Sequence, residues 1–112
     1  MQIDVRGKGL SVTAGLRSFV ERRVRLALGS RSERIDRVQV WLEDVNGPKG
    51  GDDKRCRVRV QGREVGERVV EARGADLGTT VFEAAERIGR ATARAWDRLK
   101  ARREPTLANV EA

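Results

Sequence analysis

A chain of 112 residues with 38% hydrophobic and 4% aromatic residues suits one small domain with a modest aliphatic core, and leaves little room for a second. Lys and Arg number 24 against 17 Asp and Glu, a formal charge of +7 with a sequence pI near 10.9, which favours a polyanionic partner, nucleic acid first. One cysteine and no histidine exclude an intrachain disulfide, zinc-finger ligand sets and Cys/His or Ser/His catalytic pairs, so no metal, cofactor or catalytic residue is expected.

Residues 2–6 read as a short strand in which Ile3 and Val5 alternate with Gln2, Asp4 and Arg6, closed by a turn at Gly7, Lys8 and Gly9. The Gly-Lys-Gly step lacks the spacing of a phosphate loop. Thr13 is the expected N-cap of a helix running to about Leu28 and stopped by Gly29, with Leu16, Phe19, Val20, Val24 and Ala27 on its apolar side. Arg17, Arg22 and Arg25 lie elsewhere on this helix. Arg23 falls close to the apolar stripe and is expected to snorkel out where the helix meets its neighbour.

Val38, Val40 and Leu42 alternate with Gln39, Trp41 and Glu43 across residues 35–45, the pattern of a half-buried strand. Residues 46–53, NGPKGGDD, read as a wide hairpin loop. From Lys54, Cys56, Val58 and Val60 alternate with Arg55, Arg57 and Arg59, so Cys56 reads as a small core residue rather than a nucleophile. A turn over 62–66 leads to a last strand over 67–73, with Val70 and Ala72 inward. Asp76 caps a long helix reaching Arg103, and Pro105 cannot continue it, so 1–103 is expected to be the folded domain and 104–112 a disordered tail. The start of the chain has no apolar segment after a basic one and no run suits a bilayer span, so a soluble, cytoplasmic protein is expected.

The long helix organises the rest. Leu77, Val81, Ala84, Ala85, Ile88, Thr92, Ala95 and Leu99 recur at helical spacing and form its core stripe. At about 100° per residue, Arg87, Arg90, Arg94 and Arg98 fall within an arc of roughly 80° well away from that stripe. The order β-α-β-β-β-α, with one apolar face per strand, predicts an α+β fold: a four-stranded mixed sheet with both helices on one face. Strand one should lie parallel to strand two, and the remaining strands should form an antiparallel meander. Side by side, the helices would bring Arg23 and the arginine stripe toward one groove.

The opening MQIDVRGKGLSVTAGLRSFVERRV, with Thr13, Leu16, Arg17, Val20, Glu21 and Arg23 in register, resembles the start of the ribosome hibernation promoting factors, also called ribosome-associated inhibitor proteins. RVQVWLED, VRVQG and DLGTTVFEAAERI resemble later segments of the same family, and its short form, which lacks the dimerisation domain of the long members, is the form expected. The resemblance implies a stress-response translation inhibitor that binds ribosomal RNA in the mRNA and tRNA channel of the small subunit of resting cells. It assigns RNA contacts to Arg23, Arg87, Arg90, Arg94 and Arg98. Two other readings stand beside it: a homodimeric interaction module using the open sheet face around Trp41, and a generic double-stranded RNA binder. No enzyme is expected, since Glu43 and Asp44 sit among basic residues and form no acid/base pair in a cleft.

Overall fold

The computed structural model describes residues 1–45 and 53–103. The elements are β1 (Gln2–Lys8), α1 (Ala14–Leu28), β2 (Arg37–Asp44), β3 (Lys54–Gly62), β4 (Gly66–Gly74) and α2 (Leu77–Arg103), with a 3-10 turn at Gly29–Arg34 between α1 and β2. The strands form one four-stranded sheet in the order β1-β2-β3-β4. β1 runs parallel to β2, and β2, β3 and β4 are antiparallel neighbours. Both helices lie on the same face, α2 over β3 and β4 and α1 beside it. The expected α+β architecture is therefore the one found. The hairpin loop expected over 46–53, apart from Asp53, and the tail expected over 104–112 fall outside the described residues.

Strand alternation builds the core. Val38, Val40 and Leu42 of β2 and Cys56, Val58 and Val60 of β3 are all buried, and Val20, Val24 and Leu28 of α1 and Val81, Ala84 and Ile88 of α2 close over them. Two threonines are buried within α2, and each hydroxyl donates to a carbonyl one turn back, Thr80 to Asp76 and Thr92 to Ile88, both at 2.7 Å. These bonds satisfy polar groups that would otherwise be stranded in the core.

The helix ends follow the sequence. The Leu16 amide donates to Thr13 Oγ1 at 3.1 Å, and Gly29 closes α1 with φ 59°. Asp76 Oδ2 accepts from both the backbone N–H and the hydroxyl of Thr79 at 2.8 Å, and these bonds hold its carboxyl below the usual carboxylate value. Two boundaries differ from the sequence reading by two residues, and the others by one at most. β1 continues through Gly7 to Lys8, because both residues have pairing partners on β2, Leu42 and Glu43. The turn falls instead at Gly9, where φ is 76° and a Cβ would meet the Asp44 carbonyl oxygen at 2.5 Å. β2 begins at Arg37 rather than 35 because the 3-10 turn occupies the chain up to Arg34.

Burial pushes the Cys56 thiol up to about 12, so it stays neutral and shielded across the physiological range. A thiol reagent applied to the native protein near pH 8 is expected to react only as fast as the molecule opens, and with one thiol per chain once denaturant is added. Immediate stoichiometric labelling of the native protein would show that the β3 face is not closed by the helices.

Candidate nucleic-acid interface

α1 and α2 lie side by side and run in the same direction: Phe19 lies near Gly78, and further along Ala27 lies against Gly89. They come close together at Gly89, where a Cβ would come within 2.7 Å of the Ala27 carbonyl oxygen. The core-stripe residues Ala84, Ala85 and Ala95 are buried as expected, but the close contact with Ala27 is made by a glycine that the apolar periodicity does not mark. A glycine in the middle of a long run of helix formers is its available signal.

Arg23 leaves α1 at the line where the helices meet. Its guanidinium carbon lies 5.6 Å from the centre of the Phe19 ring and 5.3 Å from that of Phe82. Phe82 is 45% exposed, so the arginine is braced by an aromatic residue from each helix at the protein surface. The snorkelling read from the sequence is observed, together with a clamp that the sequence did not reveal, because it joins residues from two helices.

The arginine stripe lies elsewhere. Gly78, Phe82 and Gly89 define the side of α2 that faces α1, and at about 100° per residue Arg87, Arg90, Arg94 and Arg98 project from the side turned away from it. The expected groove shared with Arg23 is therefore not formed. The helical wheel gives the arc correctly, but only the contacts of Gly89 and Phe82 fix which flank of α2 meets α1.

Within the stripe the four arginines differ. Arg87 forms an ion pair with Glu83 at 2.6 Å, one turn earlier on the same line, and also donates to the backbone carbonyl of Glu71 in β4. That carbonyl faces the free edge of the sheet. The Val45 amide donates to Asp53 O at 2.9 Å, so alternate residues from Asp53, Arg57 among them, turn their backbone toward β2, and Glu71 opposite Arg57 turns its own outward. Arg90, Arg94 and Arg98 are exposed, and among the described residues none has an ion-pair partner.

The opposite face of the sheet is ionic. Arg55 pairs with Glu71 at 3.0 Å and lies 3.6 Å from Glu43, Arg59 pairs with Glu67 at 2.8 Å, and Arg37 pairs with Asp4 at 3.0 Å. Trp41 is half-buried there, with the Arg57 guanidinium over its ring at 5.5 Å. Among the described residues no group of His, Cys, Asp and Glu could hold a metal ion, and no helix is long and apolar enough to cross a membrane.

A solved ribosomal subunit interface protein from Coxiella burnetii is similar to this chain with a TM-score of 0.72 at 15% identity, covering 87% of this chain and 99% of its own. The N-terminal domain of Thermus thermophilus Protein Y is similar with a TM-score of 0.69 at 24% identity, covering 84% of this chain and 98% of its own. No curated protein matches the chain. At these identities the two structures speak for the fold. The sequence itself matches the model of one family over residues 3–100, nearly the whole of the described β-α-β-β-β-α unit, and the chain therefore belongs to the sigma 54 modulation protein / S30EA ribosomal protein family.

Proposed function

We propose that the protein is a non-enzymatic, cytoplasmic translation inhibitor that binds ribosomal RNA in the mRNA and tRNA channel of the small ribosomal subunit in resting or stressed cells. Residues 1–103 form its functional domain. The observation that carries this reading is the exposed line of Arg90, Arg94 and Arg98, three guanidinium groups free of ion pairs among the described residues in a protein of net charge +7. Guanidinium groups match phosphate oxygens with two parallel hydrogen bonds, and A-form RNA is recognised chiefly through its backbone and shape. Arg23, braced by Phe19 and Phe82, contacts the same RNA from the helix junction rather than from the stripe. Arg87 positions the stripe through its bonds to Glu83 and β4. Membership of a family described by a ribosomal protein supports the choice of partner.

In a sucrose-cushion experiment the protein is expected to co-sediment with small ribosomal subunits at low salt, to dissociate as salt rises, and to inhibit a cell-free translation extract. Absence of subunit binding at micromolar concentration would remove the proposal.

A further inference from the structure

We propose that the open face of the sheet carries a second site, one that binds a nucleotide unit of single-stranded RNA on Trp41 and Arg57 with Arg6 and Lys8 beside them. This site is separate from the helix surface and does not rest on the channel-binding reading. Strand register sets Arg6, Trp41, Arg57 and Glu71 in one row across the four strands, and Lys8, Glu43, Arg55 and Arg73 in the next. A shallow depression lies between these rows and is lined by residues from all four strands. Neighbouring strands lie about 4.8 Å apart, so a row spans roughly 14 Å, enough for a base and its attached phosphate.

Two features suit a nucleotide. The first is the stack: Arg57 is exposed and lies over the half-buried Trp41 ring, and a flat guanidinium backed by an indole offers a plane on which an unpaired base can lie. The second is charge. Arg55, Arg59 and Arg73 each pair with a carboxylate on this face, whereas Arg6, Lys8 and Arg57 have no ion-pair partner among the described residues. The depression is lined by four cations, Arg6, Lys8, Arg55 and Arg57, and two carboxylates, Glu43 and Glu71. Its net charge is thus +2. Both carboxylates lie against Arg55, which leaves the unpaired cations for a phosphodiester. An apolar ligand or a cation has no comparable fit.

Fluorescence tests this directly. In a Trp96→Phe variant Trp41 is the sole tryptophan, and its emission reports on this face alone. Hexaadenylate at low salt is expected to quench it saturably. The midpoint should move at least about tenfold when Arg6 and Lys8 are both changed to Gln, and similarly for Arg57→Ala, since removing phosphate-binding cations or a stacking partner weakens binding in steps of this size. Arg90→Gln, Arg94→Gln and Arg98→Gln together should move the midpoint far less than either of these changes, with circular dichroism confirming each fold. Three results would overturn the site: no quenching up to about 1 mM oligonucleotide, an unchanged midpoint in the Arg6/Lys8 variant, or equal quenching by oligoglutamate, which would make the partner an acidic protein. Because the readout needs no ribosome, failure of subunit co-sedimentation and failure of this site are independent results.

Discussion

Changing Arg90, Arg94 and Arg98 together to Gln is expected to lower affinity for the small ribosomal subunit by about a hundredfold or more near 0.1 M salt while leaving the fold intact. Every phosphate that is no longer neutralised lowers the logarithmic salt slope by roughly 0.7 to 0.9, so three of them should flatten it by about 2 to 3. Gln has nearly the helix propensity of Arg, and none of the three side chains is held in an ion pair within the described residues, so little stability should change. The matched control is Arg34, Arg37 and Arg59, which carry the same total charge but pair with Glu64, Asp4 and Glu67. Changing that set to Gln should cost far less affinity. Equal effects of the two sets would mean that the partner responds to net charge alone, and the helix surface would no longer be a specific interface. Arg87→Gln separates the fourth arginine: it should leave the salt slope nearly as it is, because its guanidinium is already bound to Glu83 and Glu71.

Gly89→Ala is expected to destabilise the protein, against the helix propensity that favours alanine by about 1 kcal/mol. The added methyl would stand 2.7 Å from the Ala27 carbonyl oxygen and 3.2 Å from both the Ala27 carbonyl carbon and Cβ. The oxygen and carbonyl carbon belong to the backbone, so relief requires one helix to move. Overpacking of this kind costs about 1 to 3 kcal/mol, enough to outweigh the propensity gain, and Gly89→Leu should cost more. Gly15→Ala supplies the opposite sign: it lies in the first turn of α1 with nothing within 4 Å of a built Cβ, so it should be neutral or stabilising by up to about 1 kcal/mol. Urea unfolding followed by circular dichroism compares the two. A Gly89→Ala protein as stable as Gly15→Ala would mean that the helices do not touch at Ala27.

The strands and helix caps are legible in the sequence because each is encoded locally. The alternation of Val38, Val40 and Leu42, and of Cys56, Val58 and Val60, has the period of a strand, and Thr13 and Asp76 bond to amides three residues away. The candidate site is legible only in part. The arc of arginines follows from helix geometry alone, but its direction depends on which flank of α2 meets α1, and that is seen only in the contacts of Phe82 and of Gly89, a residue with no side chain to enter a hydrophobic pattern. The Arg87 bond to Glu71 joins residues 16 apart in different elements, and the Phe19–Arg23–Phe82 clamp joins both helices. The row of Arg6, Trp41 and Arg57 requires the register of three strands. The extension of β1 is hidden for a related reason: Gly7 and Lys8 look like a turn until Leu42 and Glu43 are placed opposite them.

The position of Arg87 bears on what the sheet can do in a crowded solution. β4 ends the sheet, and an end strand presents unpaired amide groups on which a strand from another molecule can assemble. The Glu71 carbonyl belongs to that outer row, and Arg87 already occupies it while its charge stands against the edge. An incoming strand would have to break this bond, separate Arg87 from Glu83 and bury the freed cation. The arginine that by spacing belongs to the proposed polyanion line therefore also stands in the way of strand addition at β4.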